Sequence, residues 1–195
     1  MQQTPATDHE LVTRAQAGSE TAYRELLGRY QRPVFSLVYR MVRDREQAED
    51  LSQETFVKMF NHIDRYDPEY KFSSWIFKIA NNLTIDSMRK KRLDTVSIDG
   101  SRHADTPDEV EASRITIQSR DANPEEYVEA KELGAELELA IGDLRPEYRT
   151  AILLRHVEGR PYEEISEIME VPLGTVKTYI HRARSELRGT LAHLR

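Results

Sequence analysis

The sequence contains no cysteine, and this absence excludes several classes of protein at once. Neither a disulfide framework nor a zinc or iron–sulfur site held by thiolates can form. The six histidines are scattered without an HExxH pair, and the Walker, GxGxxG and GxSxG motifs are missing. The strongest metal alternative is His62 with Asp64 and Asp67, a spacing more typical of a polar loop. We therefore expect no catalytic residue, metal, cofactor or small-molecule substrate.

Long apolar runs are also missing, and none approaches the roughly 20 residues that span a bilayer. The first ten residues lack the basic and then apolar pattern of a secretory signal. We expect a cytoplasmic protein without direct membrane insertion. Glycine and proline number only eight each, and the alternation typical of strands is scarce. Helical spacing recurs along most of the chain, which predicts an all-α fold.

Charge divides the chain into three parts. Residues 94–130 carry three Lys or Arg against ten Asp or Glu, whereas residues 1–93 carry 15 against 13 and residues 131–195 carry 10 against 11. The net charge of −6 therefore belongs mainly to the middle segment, where helical periodicity also fails. We expect two small helical domains, at 1–93 and 131–195, joined by a flexible acidic linker at 94–130. Asn123-Pro124 is a place where a helix can begin.

The apolar spacing of the first domain predicts a series of short helices and one long final helix. Gly18 should end the first helix and Ser19 should cap the second, while Pro33 fits the first turn of a third. The residues expected to be buried are Leu11, Val12, Ala15, Tyr23, Leu26, Leu27, Tyr30, Val34, Leu37, Val38, Met41, Val42, Ala48, Leu51, Thr55, Phe56, Met59, Phe60, Ile63, Phe72, Trp75, Ile76, Ile79 and Leu83. In the second domain the corresponding residues are Leu133, Leu137, Ile141, Leu144, Tyr148, Ile152 and Leu153.

Residues 160–191 have the pattern of a helix-turn-helix. Pro161 opens a short helix, Val171 interrupts it, and Pro172 suits the first turn of a second helix. The first of these helices is acidic and the second is basic. A basic second helix suits insertion into a major groove lined by phosphates.

The second helix buries one face and presents another. The expected inward face carries Val176, Ile180, Ala183, Leu187 and Leu191. We expect Lys177, Thr178, His181 and Arg182 to reach base edges, since Lys and Arg donate to guanine O6 and N7. We expect Arg184 and Arg188 to contact phosphates. The alternative is an amphipathic helix whose cations are solvated or pair with the neighbouring Glu cluster.

Three strings resemble the extracytoplasmic-function (ECF) sigma factors of the sigma-70 family. YRTAILLRHVEGRPYEEISEIM with VPLGTVKTYIHRARSEL resembles their −35-reading end, AEDLSQETFVKMF their polymerase-binding helix, and FSSWIFKIANNLTIDSMRKKR their −10-reading helix. The resemblance implies a non-catalytic specificity subunit for transcription initiation. Its first, sigma-2-like domain would bind core RNA polymerase and melt the −10 promoter DNA. Its second, sigma-4-like domain would bind the −35 duplex, and an anti-sigma factor would regulate it.

The resemblance also assigns residues. Polymerase binding falls to Asp50, Gln53, Glu54 and Val57. Contact with −10 DNA falls to an exposed helix side carrying Lys78, Asn81, Asn82 and Thr84, to the cations Arg89, Lys90, Lys91 and Arg92, and to Tyr66 and Tyr70 as platforms for unstacked bases. Phe72 and Trp75 are expected in the core instead. Tyr179, His181 and Pro161 depart from the family's common pattern.

Two other protein classes fit parts of the sequence. A two-domain DNA-binding regulator would bind operators unaided, usually as a dimer. A protein that only sequesters a partner would not need the basic second helix. The strings AEDLSQETF and IANNLTIDSMRKKR favour the sigma factor, because a sensor domain has no reason to carry them.

Overall fold

The chain folds into helices joined by short turns. The computed structural model describes residues 6–97 and 124–194, and within these ranges it has no β-strand. The first module holds α1 (Asp8–Gln16), α2 (Glu20–Val42), α3 (Arg45–His62), a 3-10 turn (Ile63–Arg65) and α4 (Phe72–Ser97). The second module holds α5 (Pro124–Asp143), α6 (Pro146–His156), α7 (Tyr162–Met169), α8 (Leu173–Thr190) and a closing 3-10 turn (Ala192–Leu194). The all-α, two-module prediction is confirmed.

The first three helices begin at side chains that accept hydrogen bonds from the first turn. Thr7 forms a reciprocal capping box with Glu10, and the Ser19 and Asp44 side chains cap α2 and α3. Between α1 and α2, Gly18 has a φ of 86°, which glycine adopts without steric penalty. The sequence prediction that Gly18 ends one helix and Ser19 starts the next is therefore confirmed.

The prediction that Pro33 starts a new helix is wrong, because α2 runs unbroken through it. An interior proline removes one backbone hydrogen bond and crowds the preceding turn. The apolar stripe nevertheless continues in phase on both sides, and Tyr30, Val34 and Leu37 are all buried. Packing of this continuous stripe outweighs the local penalty of the proline.

Helix α5 begins at Pro124, as the Asn123-Pro124 signal indicated, and α4 extends to Ser97. Helix thus occupies both ends of the expected linker 94–130, while residues 98–123 lie outside the described residues. The helix-turn-helix is confirmed as α7 and α8, with Pro161 and Pro172 at their N-caps and no side-chain capping bond at either.

The two modules pack against each other, and their buried side chains form one hydrophobic cluster. Helix α4 lies against α7, and α2 lies against α5 and α6. Phe77 is fully buried at this junction, with the Arg160 guanidinium 4.8 Å from its ring centroid. Sequence periodicity did not single out Phe77, because it lies outside the predicted apolar stripe of Phe72, Ile76, Ile79 and Leu83.

Polar groups also cross the junction. Buried Arg149 on α6 donates to the Met41 carbonyl at the end of α2, and Arg40 pairs with Glu138 at 2.9 Å. The Thr150 hydroxyl donates to the Asn81 side-chain oxygen at 3.2 Å. The contact therefore combines an apolar centre with directed hydrogen bonds.

Three predicted core residues lie at the surface instead. Leu27, Phe60 and Leu133 are 38%, 56% and 51% exposed. Leu27 and Phe60 each sit at the edge of a stripe whose neighbour, Leu26 or Met59, takes the core position. Phe60 packs on the Tyr23 ring at 4.5 Å, so this aromatic pair forms part of an apolar surface patch.

Candidate nucleic-acid and polymerase interfaces

Helix α8 separates a buried stripe from a basic, exposed side. Val176, Ile180 and Ala183 are 0–1% exposed and fix the helix against the rest of the module. All six predicted −35 residues lie on the exposed side: Lys177, Thr178, His181, Arg182, Arg184 and Arg188. This face can meet a DNA groove without any rearrangement of the module.

Two arginines of that face are oriented by α6. Arg182 donates to the Tyr148 hydroxyl at 3.1 Å, and the Tyr148 ring packs on Tyr179. Arg184 lies 3.0 Å from the His156 ring nitrogen. Burial lowers the pKa of His156, and the nearby charge of Arg184 lowers it further. Tyr148 and His156 were not predicted to orient these arginines, since neither belongs to the recognition helix.

Helix α4 divides the predicted −10 residues into exposed and covered groups. Asn82, Arg89, Lys90, Lys91 and Arg92 are exposed, and Lys78 is half-buried.

The expectation that Asn81 and Thr84 are exposed is wrong, because they are only 8% and 1% exposed. Asn81 accepts from Thr150 of the second module, and the Thr84 hydroxyl donates to the Ala80 carbonyl at 2.7 Å. The contact with Thr150 closes Asn81 to DNA in this arrangement, and the burial of Thr84 closes it as well.

The two predicted base platforms differ in the same way. Tyr70 is 52% exposed, whereas Tyr66 is 7% exposed and its hydroxyl donates to the Tyr70 carbonyl. Burial raises the pKa of Tyr66. Tyr66 belongs to an aromatic cluster with Phe72 and Trp75, so it is a core residue here. The expected core position is confirmed for Phe72, which is 2% exposed, while Trp75 is half-buried.

Helix α3 presents the predicted polymerase-binding residues to solvent. Asp50, Gln53, Glu54 and Val57 are all exposed, with Val57 at 57%. The nearby Phe60, which was expected in the core, is exposed and adds apolar area to this surface. An acidic surface beside large exposed apolar side chains is suited to a protein partner.

Comparison with characterised proteins assigns the chain to a family. It is 34% identical over 186 residues to the ECF RNA polymerase sigma factor SigW of Bacillus subtilis, an alignment covering 94% of this chain and 96% of the relative. The chain belongs to the ECF sigma factors of RNA polymerase. Within this ECF sigma factor, the models for Sigma-70 region 2 and Sigma-70 region 4 match residues 26–93 and 134–187.

Two solved structures share the fold of this sigma factor. CnrH, in complex with the cytosolic domain of CnrY, superposes with a TM-score of 0.66 at 20% identity, covering 95% of this chain and 97% of CnrH. RpoE of Bartonella quintana, in complex with the anti-sigma factor NepR, gives 0.65 at 22% identity, covering 87% of this chain and 96% of RpoE.

Membership of this family assigns one function to the two modules together. This ECF sigma factor binds core RNA polymerase and directs promoter-specific transcription initiation. Within the described ranges, none of its helices has the length and apolar character needed to cross a bilayer. The region 2 match covers α4 up to residue 93, and the region 4 match covers α7 and α8 up to residue 187. The covered face of α4 is therefore a contact between region 2 and region 4.

Proposed function

We propose that the two modules divide promoter recognition between them. Residues 1–93 bind core polymerase and read and melt the −10 element through α4, and residues 131–195 read the −35 duplex through α8. Residues 94–130 connect the two. The observation that carries the proposal is the clean separation on α8 between a buried apolar stripe and an exposed face bearing all six predicted contact residues.

For the −35 duplex, we assign base contacts to Lys177, Thr178, His181 and Arg182. These residues occupy the first half of α8, the part of a recognition helix that enters the major groove. Arg184 and Arg188 follow further along the helix, where phosphate contacts fix its register on the duplex.

For the −10 element, the exposed cations Arg89 to Arg92 hold the backbone while Asn82 and Tyr70 contact bases. Stacking of one base on an aromatic ring contributes about 1–3 kcal/mol, similar to the few kcal/mol needed to unstack it. Asn81 takes part only after its contact with Thr150 is broken, and Thr84 and Tyr66 only after their side chains leave the core.

Polymerase docking falls to the outer face of α3. Asp50, Gln53 and Glu54 supply polar and acidic groups, and Val57 supplies apolar contact, which fits a basic partner helix with apolar positions. We also propose that the protein acts in the cytoplasm, has no catalytic activity of its own, and is regulated by an anti-sigma factor. The complexes of CnrH with CnrY and of RpoE with NepR support this last assignment.

Run-off transcription with purified core polymerase on a genomic template library tests the proposal. We expect discrete promoter-specific transcripts, and their complete absence would contradict the sigma role. Combined Asp50→Ala and Glu54→Ala should weaken polymerase binding about 10-fold or more, as expected when two interface charges are lost. The matched control is Glu163→Ala with Glu167→Ala, which removes two exposed carboxylates from α7 and should leave binding within about 2-fold. An equal loss in both variants would count against docking through Asp50 and Glu54.

A further inference from the structure

The acidic helix α7 contacts the side of region 2 assigned to −10 DNA. Glu170 pairs with Lys78 at 2.8 Å and accepts from the Asn82 amide at 3.3 Å. Glu164 pairs with Lys71, the residue before α4, at 2.5 Å. Carboxylate oxygens thus occupy hydrogen-bonding positions on a cation and an amide that −10 DNA would otherwise use.

We propose that α7 is a built-in competitor of promoter DNA: Glu164 and Glu170 hold the −10 surface of α4 closed, and DNA must displace them. The inference rests on the proposed −10 role of α4. It assigns a function to two side chains that neither the helix-turn-helix pattern nor the polymerase contact uses. Separation of the two modules would also free Asn81 from its hydrogen bond with Thr150.

The backbone at Glu170 supports a role for its side chain. Its φ is 54°, a left-handed conformation at a helix C-cap, where glycine is the favoured residue. Among the described residues, Arg43 is the other non-glycine residue with positive φ. Its guanidinium lies against Gly142 of the second module, where an added β-carbon would overlap it. Both left-handed C-caps therefore carry a charged side chain that crosses between the modules.

The ion pairs between α7 and region 2 are weak enough for the contact to open and close reversibly. The Lys78 and Glu170 side chains are 41% and 55% exposed, so their pair is weak and screened by salt. Lys78 still stabilises the charged form of Glu170, since its hydrogen bond lowers the pKa of the Glu170 carboxyl. Glu164, at 8% side-chain exposure, is held more firmly between Lys71 and Arg160. Rising salt should therefore loosen the polar part of the contact first.

The chain provides a charge-matched control on the same helix. Glu163 and Glu167 are exposed to solvent, whereas Glu164 and Glu170 contact region 2. The variant E164Q/E170Q removes two carboxylates from α7 and its C-cap, and E163Q/E167Q removes two from α7. Any general effect of charge on DNA affinity is therefore the same in both.

The first measurement follows the separation of the two modules in the absence of DNA. Because the protein has no cysteine, Gln31→Cys and Thr190→Cys place one dye on an exposed site of each module. We expect energy transfer between the dyes to fall at a lower salt concentration in E164Q/E170Q than in the wild type or in E163Q/E167Q. Identical salt transitions in the two variants would overturn the proposal.

The second measurement uses a short fluorescein-labelled single-stranded oligonucleotide of mixed sequence. We expect E164Q/E170Q to bind it about 3- to 10-fold more tightly than E163Q/E167Q, the range expected for removing a few weak competing contacts. An equal gain in both variants would refute the competition. If circular dichroism shows that E164Q is unfolded, the single variants E170Q and E167Q give the same comparison with a smaller difference.

Transcription separates this inference from the sigma role. Promoter-specific transcripts from the wild type, together with equal opening in the two double variants, would refute the competitor and leave the sigma role intact. Opening that depends on Glu164 and Glu170, without any promoter-specific transcript, would refute the −10 assignment and with it the competition for promoter DNA.

Discussion

Helices α4 and α8 are both predicted to read DNA, yet the fold presents them differently. On α8 the predicted contact residues are all exposed, whereas on α4 Asn81 and Thr84 are buried and Lys78 is paired. The difference lies in the number of neighbours. Helix α8 packs on its own module through one stripe, but α4 is covered on one side by α2 and α3 and on another by α7. A helix can thus carry all the residues predicted to read DNA and still be closed to DNA by its packing.

The prediction with the largest expected effect tests whether the second module packs on α4 at Phe77. Phe77→Ala should destabilise the protein by about 3–5 kcal/mol, since Phe77 is fully buried at the junction of the modules. Urea unfolding followed by circular dichroism measures the loss. Val57→Ala, at an exposed site of α3, is the control and should change stability by less than about 0.5 kcal/mol. A loss below about 1 kcal/mol for Phe77→Ala would mean that this side of α4 faces water.

The same contrast explains which features were predictable from the sequence. One-sided patterns were predicted correctly: the stripe of Val176, Ile180 and Ala183 defined α8 and its exposed face. Phe77 and Asn81 could not be assigned, because their cover comes from residues about 70 to 90 positions later in the chain. Helical periodicity reports how many faces are apolar, not which distant element covers a polar one.

Local signals failed where packing competes with them. Pro33 is a reasonable helix start by its own chemistry, but the stripe that continues through it decides the outcome. Phe60 fits an apolar stripe by spacing, yet its position at the stripe's edge leaves it at the surface beside Val57. The polymerase-binding candidates on α3 came from family resemblance, since exposed acidic residues on a helix have no specific pattern.

The second prediction concerns Arg182 on α8, the helix whose predicted DNA contacts are all exposed. Arg182→Ala should reduce transcription from a −35-dependent promoter about 5- to 150-fold, the range for losing one good base contact. Run-off transcription with wild-type and scrambled −35 templates measures the effect. Arg145→Ala removes an exposed cation outside α8 and should change little. If Arg182→Ala weakens the scrambled template by the same factor, Arg182 does not read the −35 element.

Tyr148→Phe refines this test, because it removes the hydroxyl that holds Arg182 and keeps the ring against Tyr179. We expect a smaller loss than for Arg182→Ala on the same templates. A loss as large as that of Arg182→Ala would make the orientation of the arginine as important as its charge.

The smallest effect concerns pH and the contact of Arg184 with His156. The folded-state pKa of His156 lies below its ordinary value of 6.5, so the unfolded chain takes up this proton first as pH falls. Its contribution to stability is therefore complete above pH 6.5 and is lost as pH falls through the lowered folded pKa. His156→Gln should flatten the pH dependence of the unfolding free energy in this window, measured by urea titration.

Val57→Ala, which removes no titratable group, is the control for this measurement and should keep the wild-type slope. A slope for His156→Gln equal to that of the wild type would contradict the lowered folded-state pKa of His156.

The single hydrophobic cluster that joins the modules has a thermal consequence. Separating α7 from α4 would expose apolar surface to water, and such exposure carries a positive heat capacity change. The free energy of closure must then curve with temperature, with a maximum and a decline on either side of it. Access of DNA to α4 would therefore depend on temperature through the hydration of side chains such as Phe77, which take no part in binding DNA.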